Sequence, residues 1–327
     1  MSLGAFSSLA LCLMALVFLV GHGRVASAEA APRERGDGFT VCLPRNAWVI
    51  AGRRLTGGSG FDYHISQKLA DAMDRPLHVV WYENELEEES DPVKETYAML
   101  AYGLCDAVPG HPRSAPAVGD QDFDRAALPR WLGMTQDIDP DTGLLKDKLA
   151  GYVDVQPIAV TQGYMRSEVG LVYRDGTPEP TGLDDLNARS LHVQQGTLSG
   201  VIAMMQTSPV DRAAITTHNP SAGFLWEVES GDGTLAIVDD AAFDSHLKSN
   251  PFTTLRLAQW RHPIGMDIGV AVLAERHDLL KALNIVISEL PQPDVIHIAA
   301  EVGLSYAKPT ATELTPSLTL QMLREQR

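Results

Sequence analysis

The sequence predicts an α/β fold of two lobes, each built around an open and mostly parallel β-sheet. The first observation is an alternation of β-rich runs with runs of helical spacing, which is typical of parallel sheets covered by helices. The second is that this alternation resumes after about 50 residues with few strand signals. The third is size, since 327 residues with 45% hydrophobic content are enough for two cores and argue against disorder.

Residues 1–28 are predicted to be a cleaved export signal. An apolar run at residues 9–20 is too short to cross a bilayer comfortably, and small residues follow at 25–28, as signal peptidase requires. The first eight residues carry no Lys or Arg, so a retained N-terminal anchor is the alternative. We expect a soluble exported protein, because no later apolar run is long enough to span a membrane.

The first lobe begins with a β-α-β-α-β pattern. Strands, rich in apolar and β-branched residues, are expected at residues 39–43, 77–82 and 105–110. Helices, where apolar residues recur every three or four positions, are expected at residues 61–73 and 93–102. Trp48 follows the first strand, at the carboxyl end where α/β sheets bind ligands. It is expected either to stack on a ligand or to cap the core.

Charge and cysteine content restrict the partners and the compartment. A net charge of −16 excludes nucleic acid as a partner, because phosphate contacts need a basic patch. Of the three cysteines, Cys12 lies in the export signal, which leaves Cys42 and Cys105. In an exported chain these two are expected to pair, and neighbouring first and third strands would allow it. Two buried free thiols are the alternative.

Residues 113–160 are predicted to be an insertion into the first lobe. This stretch is rich in Pro, Asp and Gly, and its length marks it as a candidate functional element. Asp137, Asp139 and Asp141 could offer oxygen ligands to a hard cation such as Ca²⁺. However, glycine falls at loop position 7 rather than 6, and Lys148 occupies position 12. An ordinary acidic loop is therefore favoured over a metal site, and no cofactor is expected.

The second lobe is predicted to be nested within the first. We expect lobe 1 at residues 38–163 plus 270–307, lobe 2 at 164–269 and a tail at 308–327. Two strands crossing between the lobes would make a hinge, and a small ligand would be enclosed in the cleft. In lobe 2, Gly196 and Thr197 lie between a short strand and a helix, whose exposed first-turn N–H groups favour an anionic or acceptor group.

With these segments in place, the chain resembles the bacterial periplasmic solute-binding proteins of family 3 (type II), which serve ABC transporters for polar amino acids. The resemblance covers most of residues 38–307 apart from the insertion. The segments that carry it are Gly60-Phe61-Asp62, Cys105 to Gly110, Tyr164 to Ser167, Val193 to Thr197, Ala236 to Asp240 and Gly269 to Val272. It implies a two-lobed fold, two open sheets joined by a two-strand hinge, and a monomer without enzymatic activity.

The resemblance also implies a set of ligand-binding residues. Asp239 matches the amine-binding aspartate, although a helix N-cap is the alternative role. Gly196-Thr197 matches the carboxylate-binding helix start. The usual carboxylate-binding Arg is not evident after the third strand, so that half of the site is expected to be rebuilt near Gly110 and His111. Arg166 is either a cation in the cleft or a surface residue of the hinge.

Two features resemble a sub-branch of this family encoded beside PQQ-dependent (quinoprotein) methanol dehydrogenases. These are the paired cysteines on the first and third strands and the Tyr-x-Arg-Ser sequence at the hinge. Three functions follow as expectations. The first is a periplasmic protein that closes on a small polar solute for an ABC permease. The second is an accessory partner of a quinoprotein dehydrogenase, and the third is a dehydratase-like enzyme on the same fold.

Overall fold

The computed structural model describes residues 37–55, 57–83, 92–113, 123–133, 151–184, 191–194, 197–206, 215–218, 223–230 and 235–310. The predictions for Gly196 and for Asp137, Asp139 and Asp141 concern positions outside these ranges. Four clusters of buried side chains form the core, two around each main group of strands. The predicted α/β fold of two lobes is confirmed. No helix in the described part of the chain is both long and apolar enough to cross a membrane.

The first lobe begins as the sequence predicts. Strand β1 (Phe39–Pro44) pairs in parallel with β4 (Leu77–Glu83), and helix α1 (Phe61–Ala72) lies between them in the chain. Phe61, Ile65 and Leu69 recur every four residues and are fully buried, which stabilises the lobe by roughly 1.5–3 kcal/mol for each side chain. The hairpin of β2 (Gly52–Arg54) and β3 (Gly57–Ser59) precedes α1.

Further strands extend this lobe on both sides of its centre. Helix α2 (Pro92–Ala101) leads to β5 (Val108–Pro112), which joins β1 through a parallel bridge between Val41 and Ala107. Cys42 and Cys105 form a disulfide, with Cα atoms 5.6 Å apart, as predicted. Strand β5 also pairs antiparallel with β16 (Met266–Leu273).

The stretch predicted to be an insertion contributes four short strands within its described residues. They are β6 (Arg125–Ala127), β7 (Arg130–Trp131), β8 (Tyr152–Asp154) and β9 (Ile158–Val160). Strand β7 adds to the edge of β4, β6 pairs with β8, and β9 pairs with β16. Strands β7 and β9 therefore extend the sheets of the first lobe, whereas β6 and β8 form a separate two-stranded sheet. Periodicity over two or three residues could not reveal them.

The second lobe contains a five-stranded sheet in the order β13-β12-β14-β11-β15. Its strands are β11 (Val169–Arg174), β12 (Leu191–Gln194), β13 (Ile215–His218), β14 (Leu235–Asp239) and β15 (Leu255–Arg261). Its helices are α3 (Leu198–Gln206), α4 (Phe224–Ser230) and α5 (Asp240–Ser249). Strands β12, β13 and β14 are mutually parallel, so their carboxyl ends share one edge of the sheet.

Three segments of chain lie together between the lobes. Strand β10 (Met165–Ser167) pairs antiparallel with the start of β16. Helices α6 (His277–Glu289) and α7 (Gln292–Val302) follow β16 and pack on α1 in the first lobe. The chain then passes α5, where Asp244 accepts hydrogen bonds from the N–H and the hydroxyl of Ser305. Two residues later, Ala307 forms an antiparallel β-bridge with Arg166 of β10. This C-terminal segment is a third connection beside the two predicted hinge strands.

Candidate functional site

Two of the predicted ligand-binding residues lie at the same edge of the lobe 2 sheet. Thr197 follows β12 and starts α3, and Asp239 ends β14 and starts α5. Because β12 and β14 are parallel neighbours, both helix starts lie at their carboxyl ends, where open α/β sheets bind ligands.

Asp239 is half-buried, but its carboxyl oxygen Oδ1 is buried and has no hydrogen-bond partner among the described residues. It occupies the N-cap position of α5, with φ −74° and ψ 139°, but its side chain makes no capping hydrogen bond. Burial, together with the neighbouring charge of Asp240, raises the pKa of Asp239 to about 7. Asp239 therefore occupies the position of a helix cap, but its carboxyl group does not make the hydrogen bond that a capping side chain makes.

Asp240, the next residue, has a structural role. Its carboxylate accepts a hydrogen bond from Arg261 Nε at 3.0 Å, and its backbone N–H donates to the backbone carbonyl of Glu168. Burial raises the pKa of Asp240 to about 6, and the charge of Arg261 opposes that rise. Asp240 is thus ion-paired through Oδ2, whereas its Oδ1, like Asp239 Oδ1, is buried and has no hydrogen-bond partner among the described residues.

The Thr197 hydroxyl caps α3. It donates to the carbonyl of Gln194 at 2.8 Å and accepts from the N–H of Gly200 at 3.0 Å. The Ser199 hydroxyl is 2.8 Å away and must donate to it, because the single proton of Thr197 is already used. This hydroxyl therefore satisfies the helix terminus, and its role as a ligand contact stays a prediction.

Gly110, predicted for the opposing half of the site, is an exposed residue whose N–H contacts a buried pair of side chains. Its N–H donates to the Tyr164 hydroxyl at 2.7 Å, and that hydroxyl donates to Asp62 Oδ1 at 2.7 Å. Burial raises the pKa of Asp62 to about 7, with the Tyr164 hydrogen bond opposing the rise. At Gly110, φ is +81° and a Cβ would lie 2.8 Å from Asp62 Oδ2, so glycine is required. Because the Gly110 N–H donates to the Tyr164 hydroxyl, it is not available to a ligand.

The remaining predicted contacts differ in exposure. His111 is only 2% exposed, within the pairing of β5 with β16. The Arg166 guanidinium contacts Asp267 at 3.3 Å and Thr310 at 3.0 Å, which favours the hinge role over a cation in the cleft. Trp48 has a positive φ of 47° and is 46% exposed, so it does not cap the core. Its position after β1 remains consistent with ligand stacking.

Two residues of this region, Asp62 and Tyr164, were not predicted as site residues. They lie 102 residues apart in the chain, so no local pattern links them. The signal in the sequence that could have indicated Asp62 is a pair of polar residues, Asp62 and Ser66, spaced four apart beside the apolar face of α1. Both are buried.

No obvious metal centre occurs in the described ranges. Within them, no group of three or more His, Cys, Asp or Glu residues is arranged to hold an ion. A cavity of about 830 Å³ lies between the end of α1 and the start of α6, where Met73, Arg75, Arg276 and Leu279 are among its lining residues. It includes none of the predicted site residues.

Comparisons with solved structures support the fold. A histidine kinase sensor domain with similarity to periplasmic binding proteins aligns with a TM-score of 0.56 and 16% identity, covering 85% of this chain and 100% of that one. An ancestral arginine-binding protein bound to arginine aligns at 0.51 and 15%, covering 81% and 97%. The substrate binding protein of an amino acid ABC transporter aligns at 0.51 and 16%, covering 80% and 97%.

Sequence comparisons find no such match. No protein-family model matches the chain, and no curated protein does. At these identities, the structural likeness establishes a fold like that of the periplasmic binding proteins, with two α/β lobes.

Proposed function

We propose that this protein is a periplasmic solute-binding protein whose lobes close on a small polar solute bearing an amino group. The observation that carries the proposal is Asp239 at the carboxyl end of β14, whose buried oxygen Oδ1 has no hydrogen-bond partner in the part of the chain that the structure describes. A buried charge without a partner is costly. A ligand ammonium group would supply the missing hydrogen bond and charge.

The structural neighbours support a small solute as the ligand. One of them is an arginine-binding protein bound to arginine, and another belongs to an amino acid ABC transporter. Delivery to an ABC permease is therefore the transport role that we propose, without chemical conversion of the ligand. The half of the site that would bind a ligand carboxylate differs from that of an ordinary amino-acid binder. Its two candidate groups, the Thr197 hydroxyl and the Gly110 N–H, already have partners within the protein.

A second candidate is an accessory role toward a periplasmic PQQ-dependent dehydrogenase. The Cys42–Cys105 disulfide favours it, since this cysteine pair carried the resemblance to that sub-branch and the two residues do bond. This role would not require the Asp239 carboxylate to bind a solute.

A thermal-shift screen separates the two candidates. The panel would contain amino acids, polyamines, sugars, and calcium and lanthanide salts, and binding to the native state alone raises the melting temperature. We expect an amine-bearing solute to stabilise the wild type and Asp154→Asn, whose carboxylate is 89% exposed, but not Asp239→Asn. No shift with any solute, together with co-purification of a quinoprotein dehydrogenase, would support the accessory role instead.

A further inference from the structure

Two histidines and a glutamate form a chain of contacts in lobe 2, away from Asp239. His192 lies on β12 and His218 ends β13, with His192 Nδ1 and His218 Nε2 2.8 Å apart. The strands are parallel neighbours, and Gln194 pairs with His218. His192 is two residues before Gln194, so both rings point to the same face of the sheet. On that face, Glu227 Oε2 of α4 lies 2.8 Å from His218 Nδ1.

The carboxylate of Glu227 determines which nitrogen of His218 carries a proton. An ionised carboxylate only accepts hydrogen bonds, so His218 Nδ1 must donate to it. In the neutral ring, His218 Nε2 then presents a lone pair to His192 Nδ1. A histidine that binds a metal commonly donates its other ring N–H to a carboxylate, which fixes the tautomer and orients the ring. His218 and Glu227 have this arrangement without any metal.

The two rings face each other, with their centroids 5.1 Å apart. The cluster reaches the surface through Glu227, whose side chain is 59% exposed, whereas that of His218 is 13% exposed. The net charge of −16 also raises the local concentration of cations.

We propose that His192 Nδ1 and His218 Nε2 form a site for a divalent transition-metal ion that favours imidazole, namely Cu²⁺, Ni²⁺ or Zn²⁺. A tetrahedral ion about 2.1 Å from each nitrogen needs them about 3.4 Å apart. The nitrogens are 2.8 Å apart and lie almost on the line between the ring centroids, so the rings must both separate slightly and turn toward the ion. On binding, the proton of His192 moves from Nδ1 to Nε2, and no net proton is lost. Water completes the coordination.

The test is titration of Cu²⁺ and Zn²⁺ into the tag-free full chain, with calorimetry and electron paramagnetic resonance of the Cu²⁺ form. We expect one equivalent to bind with nitrogen ligands in the wild type, and Mg²⁺ not to compete. His192→Ala and His218→Ala should each abolish this equivalent. Glu227→Gln retains both ligands and should weaken binding by roughly ten- to hundredfold.

The matched control is His297→Ala. His297 forms an exposed pair with Glu301 on α7 at 3.2 Å, so it represents adventitious binding by surface histidines, and the proposed equivalent should survive its removal. The proposal is overturned if the wild type takes up no equivalent, or if His192→Ala and His218→Ala bind as the wild type does. It is also overturned if only His297→Ala loses the ion. None of these outcomes bears on the ligand proposed for Asp239.

Discussion

At the scale of single residues, two neighbouring carboxyl groups have different roles because of what faces them. Asp240 meets the Arg261 guanidinium, whereas Asp239 Oδ1 meets no donor among the described residues. The sequence identified Asp239 as a candidate but could not separate a cap from a ligand contact, because both occur where a strand leads into a helix. The missing capping hydrogen bond favours the ligand contact.

The raised pKa of Asp239 makes the stability of the unliganded protein depend on pH. Its pKa is about 7 in the folded chain, against an ordinary value of 3.8. Between these values the folded state binds more protons than the unfolded state, so stability falls as pH rises toward 7 and beyond. We expect Asp239→Asn to remove this dependence and to be more stable than the wild type at pH 8 by about 2–4 kcal/mol.

Urea unfolding of both proteins at pH 5 and pH 8 measures this difference. Other titrating groups are shared by the two proteins and largely cancel. If the stability difference between wild type and variant is the same at both pH values, Asp239 is not the strained buried acid that the structure describes.

Tyr164 should be important for stability, because its hydroxyl joins Gly110 to Asp62. Tyr164→Phe leaves the buried Asp62 carboxyl group without this donor, at about 1–3 kcal/mol, whereas the N–H of the exposed Gly110 can bond to water. We expect a loss of roughly 1–3 kcal/mol in denaturant unfolding. Tyr152→Phe, at a side chain that is 53% exposed, is the control and should change stability by less than about 0.5 kcal/mol. Equal effects of the two variants would contradict the network.

At the scale of helices and strands, the long periodic elements could be predicted and the short ones could not. Helix α1 was evident because its apolar residues repeat every four positions over three turns. Strands β6 to β9 have two or three residues each, so their pairing depends on distant strands rather than on local pattern. The contact of His192 with His218 was missed for a similar reason, since strand register across 26 residues creates it.

The start of α3 provides a test of the capping role. Thr197→Ala removes the acceptor of the Gly200 N–H and should destabilise the protein by about 1 kcal/mol. Thr197→Ser keeps the hydroxyl and should be close to the wild type in the same unfolding experiment. If Thr197→Ala keeps full stability but loses a ligand that the wild type binds, the hydroxyl serves the ligand rather than the helix terminus.

The disulfide also acts at this scale, because it ties β1 to the segment before β5. It spans 63 residues, and the chain-entropy model gives a stabilisation of about 4 kcal/mol for such a loop. We expect the double variant Cys42→Ala, Cys105→Ala to unfold at a lower urea concentration than the wild type, and reductant to lower only the wild-type midpoint. An unchanged midpoint in the double variant would show that the bond contributes little.

At the scale of the whole molecule, the class of fold followed from the order of strands and helices, and the connection between lobes was only partly foreseen. The sequence indicated two crossing strands, and β10 pairs with β16 where they were expected. The third segment could not be predicted, because the bonds of Ser305 to Asp244 and of Thr310 to Arg166 join residues 61 and 144 positions apart. Any movement of one lobe relative to the other must either keep these contacts or break them.

The most direct test of the central claim is a crystal structure with the amine-bearing solute that most raises the melting temperature. We predict that its ammonium nitrogen lies about 2.7–2.9 Å from Asp239 Oδ1, as in charge-assisted hydrogen bonds, with both lobes in contact with the solute. A solute bound elsewhere, or bound here with Asp239 Oδ1 still unpartnered, would contradict the account.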